Sequence, residues 1–219
     1  MKLGLGILLF FVFLGVFVDT KSHETSRVDK IVKSTSSSMI PLNIKSRLQT
    51  GDLVFRNGKG FISDFLRKTS QRDRKYSHVG VLVWEDRTPM VYHMIDEVGN
   101  GIGKSDLRKE PLEDFCSNQM NHGFAIYRLS TWDSQFDDSL RSDLRALASR
   151  NVLFDDQFNL DTDQKIYCTE LIYKILCLPN GINIKPSNSP NGPYIGLDDL
   201  YLCTDSELIT STHFKKNEN

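Results

Sequence analysis

The sequence predicts an α+β fold, and three observations predict it: short β-rich runs bounded by turns, two such runs with a hairpin pattern, and separate stretches with a helical apolar period. Thr50-Gly51 is a turn that leads into the β-rich run Asp52-Leu53-Val54-Phe55. Phe61, Ile62, Phe65 and Leu66 follow at helical spacing and predict a short helix. Val79 to Trp84 and Met90 to Ile95 flank the polar stretch Glu85-Asp86-Arg87-Thr88-Pro89, the pattern of a β-hairpin with a five-residue loop. Gly123 to Leu129 predicts a further strand. Phe136, Leu140, Leu144, Ala146 and Leu147 mark a helix over Gln135 to Ser149, and a third helix runs from Cys168 to Leu178, stopped by Pro179-Asn180-Gly181. No internal repeat is visible.

The 219 residues, 39% hydrophobic and 25% charged, describe one ordinary globular domain with an extension. A net charge of -1, with no basic block longer than Arg72-Asp73-Arg74-Lys75, argues against nucleic acid as a partner. Met1-Lys2 precedes an apolar run of 16 residues, Leu3 to Val18, closed by Asp19. That is the profile of a secretory signal, and it is shorter than the roughly 20 residues of a spanning helix. No small-x-small cleavage triplet stands out, so an N-terminal anchor is the alternative; no cysteine follows the run to accept a lipid. Either reading puts the domain outside the cytosol. The expected organisation is residues 1–20 as signal or anchor, 21–41 as a Ser/Thr/Lys-rich spacer, 42–210 as the folded domain and 211–219 as a polar tail.

Tyr167-Cys168-Thr169-Glu170-Leu171-Ile172-Tyr173 places one cysteine at the opening of an amphipathic helix, with Ser77-His78-Val79-Gly80 at a strand start far upstream. A cysteine at such a place is more often a packed core residue than a nucleophile. An imidazole and a helix N-terminus, however, are the two commonest means of lowering a thiol's pKa, so Cys168 with His78 reads as a nucleophile and its base. Cys177 falls on the apolar side of the same helix and reads as core, and a Cys116–Cys203 disulfide is conceivable in an oxidising compartment. A metal site from His78, His93 and Cys168 is a third option, without any close-spaced ligand pair to support it. His23, His122 and His213 fall in spacer, loop and tail and read as solvated.

Leu48-Gln49-Thr50-Gly51-Asp52-Leu53-Val54-Phe55, Tyr76-Ser77-His78-Val79-Gly80-Val81-Leu82, Phe154 to Leu160, Tyr167 to Lys174 and Leu197-Asp198-Asp199-Leu200-Tyr201 together resemble the YiiX-like, circularly permuted branch of the NlpC-type papain-fold cysteine hydrolases. The resemblance covers about Leu48 to Leu208. It implies a papain-like fold with an antiparallel sheet or small barrel packed on helices, no cofactor, and histidine 90 residues ahead of cysteine. It also implies a third polar residue on the strand after the histidine strand, which falls at His93; relatives of this branch carry glutamate there, and lecithin-retinol-acyltransferase-like cousins carry histidine. Asp96 and Glu97 are the substitutes.

The implied mechanism is a Cys168 thiolate paired with His78 imidazolium, attack on a carbonyl, and a thioester released by water or another acceptor, with the Cys168 N–H holding the oxyanion. Tyr167 lines the pocket or simply packs, and Arg56 to Tyr76 forms a lid or substrate rim. The expected activity is an amidase or peptidase on a peptide or lipid-like substrate, in possible membrane or cell-wall proximity. The alternatives are a lipid acyl hydrolase or acyltransferase, and a non-catalytic lipid- or peptide-binding module.

Overall fold

The computed structural model describes residues 40–95, 105–130, 135–162 and 164–215. The N-terminal apolar run, residues 21–39 of the expected spacer, and the substitutes Asp96 and Glu97 lie outside the described residues, while Ile40, given to the spacer, is buried in the fold.

Six antiparallel strands form the main sheet: β1 (Leu53–Gly58), β2 (His78–Glu85), β3 (Thr88–Met94), β4 (Leu107–Pro111), β5 (Asn121–Leu129) and β10 (Ser206–His213), in the order β10-β5-β1-β2-β3-β4. Two small pairs, β6 (Leu153–Phe154) with β7 (Lys165–Ile166) and β8 (Ser187–Ser189) with β9 (Gly192–Tyr194), accompany it. The helices are α1 (Leu42–Lys45), α2 (Phe61–Arg67), α3 (Leu112–Phe115), α4 (Gln135–Ser149), α5 (Cys168–Ile172) and α6 (Leu197–Tyr201). The architecture is the predicted α+β.

Strand side chains alternate between faces, so each central strand feeds two cores. Leu53, Phe55, Val79, Val81 and Val83 join Leu140 and Leu144 of α4 and Leu171 and Ile172 of α5 on one face. Val54, Leu82, Val91, Phe124 and Ile126 join Leu112, Phe115, Leu48 and Ile40 on the other. Covering both faces is why β2 reads as a continuous apolar run rather than an alternating one.

The hairpin is tighter than predicted. Glu85 pairs with Thr88 and Trp84 with Pro89, so the loop has two residues, Asp86 and Arg87. Both have left-handed φ, 43° and 68°, the backbone that matches the twist of a two-residue hairpin. Neither residue is glycine, so nothing local marked the loop as two residues rather than five. The cysteine helix also differs: after Ile172 the turn Tyr173–Cys177 is a π-helix, with Leu178 N–H donating to the Tyr173 carbonyl at 2.9 Å. Residues 211–213, expected in the tail, pair with β5 as the end of β10. Leu197–Tyr201, part of the resemblance, is helix α6.

Candidate active site

Cys168 opens α5 and its neighbours are locked. Tyr167 is extended, and its N–H donates to the Glu170 Oε2 at 3.2 Å, the backward half of a capping box. The Tyr167 hydroxyl accepts from the Ile195 N–H at 2.9 Å, and the Thr169 hydroxyl donates to the Ile195 carbonyl at 2.6 Å. The segment leading into α6 thus clamps both residues beside the cysteine. Tyr167 is buried, with its hydroxyl taken, so of its two expected roles its surroundings match packing rather than lining a pocket.

The β2–β3 ladder ends at Val81 opposite Tyr92, which leaves the start of β2 open towards α5. There the backbone N–H groups of Val79, Thr169 and Cys168 favour the charged form of the thiol. Burial pushes this thiol up to about 11, against the pull of those N–H groups and of the Arg56 guanidinium. His78 is the residue before Val79, one position along β2 from the N–H that acts on the thiol. Among the described residues the His78 ring makes its side-chain hydrogen bond to His93, and none joins it to the sulfur.

Nε2 of His78 lies 2.9 Å from Nδ1 of His93, with the rings edge to face at 85°. Gly80 makes this approach feasible. A Cβ there would meet Val91 Cγ1 at 2.5 Å, the Tyr92 carbonyl at 2.8 Å and His93 Cβ at 3.1 Å. Ser77 braces the same strand end by accepting the Gly58 N–H at 2.9 Å, with its own N–H donating to the Arg56 carbonyl at 2.9 Å.

Two charged residues that sequence reasoning missed complete the cluster. Nε2 of His93 lies 3.1 Å from Glu110 Oε1 on β4, at ion-pair distance but off the ideal line of a hydrogen bond. Arg56, opposite His78 in register on β1, reaches within 3.6 Å of the same carboxylate oxygen and stacks 4.5 Å over the Phe115 ring. Phe115 also borders both imidazoles, its centroid 5.9 Å from His78 and 5.2 Å from His93. The only signal for Arg56 was a charge two residues beyond Val54, on a face otherwise apolar. Glu110 sits in Leu-Arg-Lys-Glu-Pro, which has no strand pattern at all, and pairing with β3 alone makes it β4.

Burial, Arg56 and His93, in that order, hold His78 well below the ordinary imidazole range. Burial also lowers His93, against the opposing pull of the Glu110 carboxylate. Both shifts work against the thiolate and imidazolium that the sequence suggested. The cause is desolvation of both partners, which penalises charge on each.

The other conspicuous residues are structural. Asp52 is buried and held by Arg128 at 2.7 and 2.8 Å, tying the start of β1 to β5. Gly51 has φ 93° and donates its N–H to the Leu82 carbonyl at 2.7 Å, closing the turn before β1. All four cysteines are free. Cys116 belongs to one core and Cys203 packs on the other, so the bridge considered between them does not form. Cys177 is buried in the core as expected. His122 and His213 are exposed. Among the described residues, no group of three or more His, Cys, Asp or Glu side chains is arranged to hold a metal ion.

The fold has known counterparts. A crystal structure described as the metalloprotein YiiX from Escherichia coli O157:H7 superposes with a TM-score of 0.61 at 14% identity, covering 75% of this chain and 98% of that one. The likeness concerns the fold. Among curated protein sequences, none matches the chain. The family model for the permuted papain-like amidases, YaeF/YiiX, C92 family, matches residues 47–195, a span that takes in Arg56, His78, His93, Glu110 and Cys168. The chain belongs to this family of permuted papain-like amidases, and with it to the cysteine amidases and peptidases.

Proposed function

We propose that the protein hydrolyses an amide bond, in a cell-wall-type peptide or an acylated amine, with Cys168 as nucleophile, His78 as general base and His93 as the residue that orients His78. The observation that carries this reading is the convergence at one strand end. Backbone N–H groups, that of Val79 first among them, favour charge on the Cys168 sulfur, and the His78–His93 pair at 2.9 Å starts from the residue before Val79.

Because burial penalises charge on both partners, the base acts as the bond forms. Sulfur attacks the carbonyl carbon while its proton passes to His78. The amide nitrogen then leaves with that proton, and a thioester remains. Water, losing a proton to His78, attacks the thioester and frees the acid and the thiol. The N–H groups at the start of α5 are placed to stabilise the negative oxygen of each tetrahedral intermediate, where charge develops in a water-poor setting.

The 16-residue apolar run at Leu3 to Val18 supports a place outside the cytosol, and no helix among the described residues is long and apolar enough to cross a membrane. A lipid-directed acyl hydrolase or acyltransferase is the second reading, favoured by one feature. Helix α2 exposes Phe61 (85%), Ile62 (70%) and Phe65 (55%), and its Ser63 lies close to Gly58 beside Ser77, next to His78. On this reading α2 is the substrate rim expected of the segment from Arg56 to Tyr76.

A thiol-reactive acyl probe tests the proposal. Mass spectrometry is expected to find the label on Cys168, with labelling lost in His78→Ala. Labelling that ignored His78 would sink the pair. Competition by short peptides or by acylated amines with long chains then separates the two substrate classes.

A further inference from the structure

A neutral imidazole carries one proton, and its position decides whether His78 meets the thiol as an acceptor or as a donor. With Nε2 of His78 committed to His93, Nδ1 is the nitrogen available to Cys168. We infer that Glu110 is a positioning residue: acting through His93, its carboxylate holds both imidazoles in the Nε2–H form and leaves Nδ1 of His78 bare. The inference rests on the roles proposed above for Cys168 and His78.

The argument counts one proton per ring. An ionised carboxylate offers only lone pairs, and a bare Nε2 of His93 at 3.1 Å from Glu110 Oε1 would face that charge with a lone pair of its own, so Nε2 is the nitrogen that carries the ring's proton. Nδ1 of His93 is then a bare acceptor. It lies 2.9 Å from Nε2 of His78, which must therefore carry the proton of its own ring. The lone pair of His78 Nδ1 is what remains for the thiol. Reversing the proton on His93 would set two acceptors, His93 Nε2 and the carboxylate, against each other in a buried place.

The surroundings keep each premise in force. His93 first, and Arg56 at 3.6 Å after it, hold Glu110 below the ordinary carboxylate range, so it stays ionised and acceptor-only. Burial keeps both rings neutral, Arg56 faces them from β1, and Arg108 stands opposite His93 on β4. Phe115 walls the chain of contacts on one side. During attack the Cys168 proton moves to His78 Nδ1, and the imidazolium so formed is stabilised through His93 by the Glu110 charge. The proton then goes to the leaving amine, and each ring returns to its starting form.

Glu110→Gln is the informative change, because an amide both donates and accepts and so removes the bias between the two proton arrangements. Long-range proton–nitrogen NMR of the full chain, labelled at its five histidines, reads the tautomers directly, with His78→Gln and His93→Gln assigning the signals. The expected wild-type spectrum shows both rings as Nε2–H. In Glu110→Gln, Nδ1–H forms are expected to appear and probe labelling of Cys168 to slow about 10- to 100-fold, the usual loss when an outer orienting partner is changed, with circular dichroism unchanged. A wild-type His78 in the Nδ1–H form overturns the inference without any variant. So do unchanged tautomers and labelling in both Glu110→Gln and Glu110→Ala. Labelling that survives His78→Ala overturns the catalytic reading instead, and leaves the spectrum to decide the tautomers.

Discussion

Cys168 and Cys177 stand nine residues apart on one continuous helical segment, both buried, at 6% and 0% exposure. Burial pushes both thiols up, to about 11 and about 12. What differs is the company of the sulfur. Cys177 lies among apolar side chains, where a neighbouring thiol, Cys203, only raises it further. Cys168 meets three backbone N–H groups and the field of Arg56, all of which favour negative charge, and it adjoins a strand that begins with a histidine. Burial alone makes a thiol inert; oriented donors and a base beside it make a nucleophile. The π turn Tyr173–Cys177 changes the helical register between the two cysteines.

The comparison breaks most visibly by substitution. Cys168→Ser is expected to cut turnover of an acyl substrate by about 10³-fold or more, as loss of a nucleophile does, while Cys177→Ser leaves turnover within a few-fold; equal losses in the two would erase the distinction. His78→Gln comes next, with labelling of Cys168 expected to slow about 10²- to 10⁴-fold, the range of a lost general base. Cys116 and Cys177 are expected to stay unlabelled in the native protein throughout, which peptide mapping reads directly.

Acid gives a third separation. His78 and His93 have folded-state values below the ordinary imidazole value, so they contribute stability that is present above that value and lost as pH falls towards the folded ones, when the unfolded chain binds protons first. Urea midpoints are therefore expected to fall as pH drops below about 6.5, with a shallower fall in His93→Gln; a fall of equal slope in that variant would remove His93 from the account. On the core side, Cys177→Ala is expected to cost about 1–2 kcal/mol by the small cavity it leaves, with labelling of Cys168 unchanged.

The smallest effect concerns the helix start. Burial pushes the Glu170 carboxyl up to about 7, although Lys174 lies 2.8 Å away. A raised carboxyl value means stability present below the unfolded value and lost as pH rises through the folded one. Glu170→Gln keeps an acceptor for the Tyr167 N–H without the charge, so its stability relative to wild type is expected to improve between about pH 4.5 and 7. Thermal melts across that range check it, and a constant difference would discard the linkage.

Legibility followed the physics of each element. Helix α4 was readable from Gln135 to Ser149 because Phe136, Leu140, Leu144 and Leu147 repeat with the helical period. Strand β2 was readable from its apolar run. Strand β4 was not, since Leu-Arg-Lys-Glu-Pro carries no pattern and only pairing with β3 makes it a strand. The apolar spacing of α2 predicted a helix correctly, yet those side chains face outward. Periodicity reports that one face is apolar, not what covers it.

By itself the sequence determined the α+β class, the order of histidine before cysteine, and the candidates Cys168, His78 and His93, because these depend on local pattern and on motif order along the chain. Only the tertiary structure decided that Glu110 and Arg56 join the histidines, that Tyr167 is held by Ile195, and that burial penalises charge on thiol and imidazole alike. Those outcomes depend on strand register and on removal from water, and both arise from contacts between residues far apart in the chain.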